Sequence, residues 1–141
     1  MRRDELVDQF LDGQQVLHRT WKTHFFKMLG DLTPGQVMVL FLLKRKQPLR
    51  GSDVAKEIGV TRSAITQLME SLYTLGYVTR TDDEQDRRVF YITLTSAGDA
   101  KFAELEAARR ELFMKSAVEL TDNELQAVIT ANAKMLAALE K

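Results

Sequence analysis

The chain has 141 residues, a length that suits one domain able to bury about two-thirds of its unfolded surface without covalent staples. Its 20 Lys plus Arg balance 20 Asp plus Glu and it has no cysteine, which excludes an overall basic protein, a disulfide framework and a thiolate metal site, and favours a reducing, cytoplasmic location. The longest apolar run, VMVLFLL at residues 37–43, is far shorter than the roughly 20 residues that span a bilayer, and the N-terminus lacks an apolar signal core, so no membrane partner is predicted.

Two helices are predicted in the first third of the chain. Residues 5–29 form a long amphipathic helix because large apolar side chains recur there at helical spacing, namely Phe10, Leu17, Trp21, Phe25 and Met28. A second helix begins after Thr33, with Pro34 at its first position and Gln36 completing a capping box, and it continues through Lys44. The segment KQPLR is expected only to end this helix.

Two shorter helices joined by a tight turn follow. The first covers residues 51–58 and directs three apolar side chains inward, Val54, Ala55 and Ile58. Gly59 can take the left-handed conformation that ends a helix, and Thr61 caps the next one. That fourth helix runs from Arg62 to about Leu75, where Gly76 ends it, and its predicted buried positions are Ile65, Leu68, Leu72 and Leu75.

A hairpin and two further helices complete the prediction. The segments YVTRT and VFYITLT are rich in β-branched and aromatic residues and flank a polar DDEQDRR, which indicates two strands joined by a turn. One strand face carries Phe90, Ile92 and Leu94. Thr95 starts a fifth helix, and TDNE at residues 121–124 is a capping box for a sixth. The fold is therefore predicted to be mostly α-helical with a small β-hairpin.

The third and fourth helices, with the turn IGVT between them, have the pattern of a helix-turn-helix. In such a unit the second helix lies in the major groove of DNA, so its N-terminal side chains must be polar to reach base edges or phosphate. Five residues meet this demand and are the predicted DNA-binding residues of the helix: Thr61, Arg62, Ser63, Thr66 and Gln67. The alternative for a single helix is an ordinary solvated face, and which residues read bases stays open.

The hairpin adds a second pair of DNA-binding candidates. Arg87 and Arg88 stand near its tip, and arginine suits the narrow, strongly negative minor groove. The neighbouring carboxylates would repel phosphate, so we expect them to orient the arginines or to face away. Asp86 is placed to pair with Arg88. Helix-turn-helix and hairpin together predict a winged helix-turn-helix.

Four motifs follow one another in an order that resembles the MarR family of transcription regulators. They are LRGSDVA, GVTRSAITQLMESLYTLGYVTR, DRR at 86–88 and LTSAG at 94–98. The resemblance covers about Leu32 to Gly98 and the helical layout of the whole chain. Two positions depart from the family pattern: Arg50 stands where Ser or Thr often caps the third helix, and Gln67 stands where a basic residue is common.

The resemblance implies one MarR-like domain over residues 1–141, with the winged helix-turn-helix at 32–98 and dimerisation helices at 1–30 and 99–141. It implies a homodimer on a pseudo-palindromic site in double-stranded DNA, acting as a repressor. A two-fold axis would place the recognition helices roughly 34 Å apart. Apolar residues on the flanking helices independently favour a partner copy, because a small winged domain cannot cover them.

The resemblance also implies a small aromatic effector that releases the regulator from DNA. Trp21, His24, Phe25 and Met28 are the candidate pocket, and their ordinary alternative is hydrophobic core or dimer interface. No cofactor is predicted. His18 and His24 are six residues apart and point to different sides of a helix, so no metal site is predicted.

The sequence also bears on two other functional classes. An enzyme is not expected, because the chain has no phosphate-binding glycine loop, nucleophile elbow or HExxH. A winged helix can also serve as a protein-interaction or architectural module without regulated operator binding. The polar start of the fourth helix argues against that use, because protein-binding faces are more often apolar or aromatic.

Overall fold

The computed structural model describes residues 1–141 and confirms a mostly helical fold with a small antiparallel sheet. Its elements are α1 (Arg3–Lys27), α2 (Pro34–Arg45), β1 (Leu49–Arg50), α3 (Gly51–Ile58), α4 (Arg62–Leu75), β2 (Val78–Asp82), β3 (Phe90–Leu94), α5 (Ser96–Ser116) and α6 (Asp122–Leu139). The chain forms two compact units, Met1–Arg109 and Arg110–Lys141. No helix is both long and apolar enough to cross a membrane.

The helix ends lie where the capping signals predict them. At α2, the Thr33 hydroxyl accepts from the Gln36 N–H at 3.3 Å, and the Gln36 side-chain oxygen accepts from the Thr33 N–H at 2.9 Å. Thr61 caps α4 through its hydroxyl. Gly59 and Gly76 end α3 and α4 with φ of 75° and 80°, a left-handed conformation that costs glycine little. Local chemistry alone therefore defines the helix-turn-helix.

The sheet has one strand more than the predicted hairpin. β3 lies in the middle of the order β1-β3-β2, and its Ile92, fully buried, is opposite Leu49 of β1 and Arg80 of β2. The expectation that KQPLR only ends the second helix was incomplete, because its last two residues form β1. A segment of two residues is too short to show the alternating pattern of a strand. β1 forms because it pairs with β3.

The core of the first unit lies between α2, α3, α4 and the sheet. Its fully buried side chains are Leu29, Leu40, Leu43, Leu72, Ile92, Val39 and Val54. The predicted burial of Leu75 was wrong: Leu75 is 45% exposed, whereas Met69 is 5% exposed. The face of α4 that meets the core follows Ile65, Met69 and Leu72, and Leu75 lies one turn later, in the last turn of the helix.

Much apolar surface is left uncovered in each unit. In α1 only Phe25 is buried, and the exposed large apolar residues include Leu6, Val7, Phe10, Leu11, Val16 and Leu17. In the second unit no residue of α6 is buried, and Val128, Ile129, Met135, Leu136 and Leu139 are exposed. The helical periodicity predicted for both segments is confirmed, but a single chain does not cover their apolar faces.

Candidate nucleic-acid interface

The N-terminal half of α4 presents a polar face to solvent. All five side chains predicted to bind DNA there are exposed, Thr61, Arg62, Ser63, Thr66 and Gln67. The buried Ile65 anchors the opposite face of the same turn. The Thr66 hydroxyl donates to the Arg62 carbonyl at 2.9 Å, which fixes the rotamer of a residue in the middle of this face. The helix therefore has an apolar side held by the core and a polar side available to a ligand.

A buried polar contact sets the position of α4 against α2. Gln36 is the one buried polar residue of the core, and its side-chain amide donates to the Ser71 hydroxyl at 2.9 Å. Ser71 in turn donates to the Leu68 carbonyl at 2.7 Å. A buried amide without a partner is costly. These hydrogen bonds therefore favour the observed position of α4 along α2 over positions shifted along the helix.

Carboxylates hold the turn between β2 and β3, which we call the wing turn (residues 83–89). Asp83 accepts from the N–H groups of Gln85 and Asp86 at 2.9 and 3.2 Å and from the Tyr91 hydroxyl at 3.3 Å. These hydrogen bonds, that of Gln85 foremost, lower the pKa of the Asp83 carboxyl below its usual value. Asp83 thus organises the first half of the wing turn.

The predicted pairing of Asp86 with Arg88 is confirmed. The Arg88 guanidinium donates to both carboxylate oxygens, at 3.1 and 3.2 Å, and its backbone N–H adds a third bond at 3.0 Å. The guanidinium, as first cause, lowers the pKa of the Asp86 carboxyl. The Arg88 side chain is otherwise 91% exposed, so its orientation depends on Asp86. Arg87 is exposed beside it.

Close packing joins the base of the wing to the start of α3. A Cβ atom at Gly51 would overlap the ring of Phe90, so a glycine is needed for the ring to approach the helix. The Arg80 guanidinium lies 3.9 Å from the centroid of the same ring and pairs with Asp82 at 2.9 Å. This contact ties the hairpin to α3 rather than leaving it as a free arm.

A cavity of about 490 Å³ lies between the start of α3, α4 and the wing turn, and we call it the wing groove. Its polar lining residues are Arg50, Ser52, Arg62, Thr66 and Arg88, and its apolar ones include Ile65 and Phe90. The structure thus brings three of the predicted DNA-binding residues together. Thr61, Ser63, Gln67 and Arg87 lie outside the groove lining.

Two residues of the wing groove were not predicted as binding residues, Arg50 and Ser52. The sequence carried one signal for Arg50, because it occupies a position where a capping side chain is typical. In the structure Arg50 is the N-cap residue of α3, and its side chain makes no capping hydrogen bond. None of the seven ion pairs involves Arg50 or Arg62.

The predicted effector residues lie near the C-terminal end of α1. Trp21 and Phe25 stack with ring centroids 5.4 Å apart, and Phe25 is buried, whereas His24 and Met28 are exposed. A separate cavity of about 720 Å³ is lined by residues of α2, α3 and α5, among them Phe41, Phe102, Lys44 and Arg109. No group of three or more His, Cys, Asp or Glu is placed to hold a metal ion.

The fold and this interface define a protein of the winged helix-turn-helix class. A family model described as MarR family matches residues 30–89. The HTH-type transcriptional repressor MdtR of Bacillus subtilis is 34% identical over 139 residues, which cover 97% of this chain and 90% of that protein. The chain belongs to the MarR family, whose members are transcription regulators and not enzymes.

Solved structures agree with this fold. The YusO protein of Bacillus subtilis matches with a TM-score of 0.77 and 28% identity, covering 98% of this chain and 99% of that one. A variant of S. aureus MepR, solved bound to an oligodeoxyribonucleotide, matches with a TM-score of 0.68 and 22% identity over 92% of this chain and 97% of that one. The second likeness concerns the fold alone.

Proposed function

We propose that this protein represses transcription by binding a specific site in double-stranded DNA. The observation that carries the proposal is the exposed polar start of α4, held against the core by Ile65 and flanked by the arginines of the wing turn. A related protein is named a transcriptional repressor, and a protein of the same fold was solved with an oligodeoxyribonucleotide. A dimer that occupies a promoter blocks polymerase, which favours repression over activation.

The proposal divides the work among the predicted residues. Arg62 can donate a fork of hydrogen bonds to guanine and Gln67 can pair with adenine in the major groove. Thr61 caps α4 and Ser63 lies in its first turn, where the free N–H groups of a helix favour phosphate, so both are assigned to the phosphate backbone. Arg87 and Arg88 enter the neighbouring minor groove, where Asp86 holds Arg88 in a defined direction.

The functional form that we propose is a homodimer. In the first unit α1 exposes six large apolar residues between Leu6 and Leu17, and in the second unit α6 buries none of its residues. Monomeric proteins rarely leave such continuous apolar surface in water. Two-fold symmetry would present two recognition helices to a pseudo-palindromic site, and a cytoplasmic location next to the DNA belongs to the same proposal.

Release by a small aromatic effector is the remaining part of the proposal. Trp21, His24, Phe25 and Met28 are the pocket proposed for it, supported by the stacked rings of Trp21 and Phe25. Trp21 is the only tryptophan, so its fluorescence should change when a ligand binds beside it. A compound that releases DNA without changing this fluorescence would place the effector elsewhere, and the cavity beside Phe41 and Phe102 is then the next candidate.

The direct test is to select bound sequences from random double-stranded DNA and to measure affinity for the enriched site. Arg62→Ala and Arg88→Ala should each weaken binding while the circular dichroism spectrum stays unchanged. Arg3→Ala removes an equal charge at the exposed start of α1 and serves as the matched control. A folded protein that enriches no sequence even at low salt would favour the protein-interaction alternative.

The oligomeric state needs its own measurement. Sedimentation velocity at micromolar concentration should give a dimer, and one dimer should protect both half-sites from cleavage. A monomer in solution that also binds a single half-site with full affinity would contradict this part of the proposal.

A further inference from the structure

We infer that Arg50 contacts the DNA backbone, and that the wing groove holds the phosphodiester strand which separates the major groove from the minor groove. The inference rests on the proposed function and adds a residue and a place to it. It assigns Arg50 to the stretch of backbone that lies between Arg62, proposed for the major groove, and Arg88, proposed for the minor groove. The Ser52 hydroxyl in the same lining is a further donor.

The charge around the groove supports an anionic occupant. The chain as a whole is neutral, yet the lining of the wing groove contains three arginines and no carboxylate. Arg50 and Arg62 form no ion pair, whereas Arg88 is paired with Asp86. A concave surface lined by one sign of charge concentrates the opposite charge more strongly than a flat surface does. The wing groove is therefore positively charged although the protein as a whole has no net charge.

The geometry of a winged helix selects the DNA backbone as this anion. The recognition helix lies in the major groove and a wing arginine enters the minor groove. The sugar–phosphate strand is the wall between these two grooves, so a protein that enters both must pass over that strand. The surface between α4 and the wing turn is the wing groove, whose lining includes Arg62 of α4 and Arg88 of the wing turn.

Arg50 is placed for this role and has no other visible one. Its backbone is fixed, because β1 pairs Arg50 with Tyr91 of β3. Its side chain is exposed, forms no ion pair and gives α3 no capping hydrogen bond. A Ser at this position would stabilise the helix start better. Because Arg50 occupies this position, α3 lacks a side-chain cap. A contact between Arg50 and phosphate gives a physical reason for an arginine there.

The test compares Arg50→Ala, Arg50→Ser and Arg50→Lys with the wild type on the selected DNA site over a range of salt concentrations. Each phosphate contact contributes about 0.9 to the slope of log affinity against log salt, so Arg50→Ala should reduce the slope by about 0.9 per subunit and lower affinity roughly fivefold per contact at 0.15 M salt. Base preference in the selected site should not change. Arg50→Lys should restore the slope, because a phosphate contact needs only the charge.

Arg50→Ser separates binding from folding. It should raise the thermal midpoint, because serine can cap α3, and yet lower DNA affinity as much as Arg50→Ala does. Arg3→Ala is the control for the loss of one positive charge away from the groove. A loss of affinity in a variant with a raised thermal midpoint cannot be the result of unfolding.

The outcomes distinguish this inference from the proposed function. If the wild type selects no DNA sequence, the proposed function fails. If the wild type selects a site but Arg50→Ala keeps the slope and affinity of the wild type, only the assignment of Arg50 is overturned. A change of base preference at one position would show that Arg50 reads a base instead. Release by millimolar inorganic phosphate, beyond that caused by chloride at equal ionic strength, should be weaker for Arg50→Ala than for the wild type. Equal release from both proteins would overturn the assignment of Arg50.

Discussion

Both carboxylate oxygens of Asp86 accept hydrogen bonds from the Arg88 guanidinium, at 3.1 and 3.2 Å, although the arginine side chain is 91% exposed. This pair fixes the orientation of the Arg88 guanidinium at the tip of the wing. On a solvent-exposed loop such a pair adds little to stability. In the proposed function, the pair orders the long Arg88 side chain before the protein binds DNA.

Asp86→Asn should therefore reduce discrimination between specific and random DNA. Without the carboxylate, Arg88 must be ordered during binding, which costs about 0.5–1.5 kcal/mol for such a side chain, while the loss of one negative charge strengthens binding to any DNA. The ratio of the two affinities should fall by several-fold, as measured by competition with random-sequence duplex. An unchanged ratio would mean that Arg88 needs no preordering.

The wing turn should lose order in acid. The pKa values of Asp83 and Asp86 are lowered in the folded protein, so the folded state binds fewer protons than the unfolded state, whose aspartate carboxyls have a pKa of about 3.9. Their stabilising contribution is fully present above about pH 5 and is lost as the pH falls through the lowered folded values. Thermal midpoints measured from pH 6 to pH 3 should show this decline.

Asp83→Asn should flatten that decline, because an asparagine side-chain oxygen still accepts from the Gln85 and Asp86 N–H groups but does not titrate. Glu84→Gln is the matched control, an exposed carboxylate of the same turn. Equal pH profiles for the two variants would remove Asp83 from this role.

Gly98→Ala should destabilise the protein although it lies inside α5. In an open helix this change normally stabilises by about 0.5–1 kcal/mol. Here a Cβ atom would overlap the backbone carbonyl of Tyr77, and overpacking of this kind typically costs about 1–3 kcal/mol. Urea unfolding gives the sign directly, and a stabilised variant would show that the two segments have room to separate.

Truncation of Met69 should destabilise the protein much more than truncation of Leu75, although the sequence predicted Leu75 as the buried residue. Met69 is 5% exposed and Leu75 is 45% exposed, so Met69→Ala should cost about 2–5 kcal/mol, and Leu75→Ala should change stability by no more than about 0.5 kcal/mol. Chemical denaturation of both variants provides the comparison. Similar losses would mean that Leu75 is covered in the functional assembly.

Gln67→Ala should relax sequence preference at one position of each half-site. If Gln67 pairs with adenine, its loss removes about 1–3 kcal/mol of discrimination at that base pair and leaves the other positions as they were. Selection from random DNA with the variant reveals the position. A uniform loss over all sequences would place Gln67 at a phosphate instead.

Local signals were sufficient for the helices and for the polar face of α4. Thr33 with Gln36, Thr61, Gly59 and Gly76 act on backbone groups within one helical turn, so the boundaries that they predict are the boundaries observed. The alternation of Phe90 and Ile92 likewise indicated β3, and the spacing of Asp86 and Arg88 was enough to suggest their pair.

Features that depend on contacts between distant segments could not be predicted from the sequence. β1 forms because Leu49 pairs with Ile92 of β3. Met69 rather than Leu75 is buried because the packing of α2 and the sheet determines which face of α4 is covered. The wing groove is the clearest case, since it places Arg50 near Arg62 and Arg88, which are far along the chain. Capping and periodicity act through neighbours in sequence, whereas a groove is formed by the packing of several elements around a shared core.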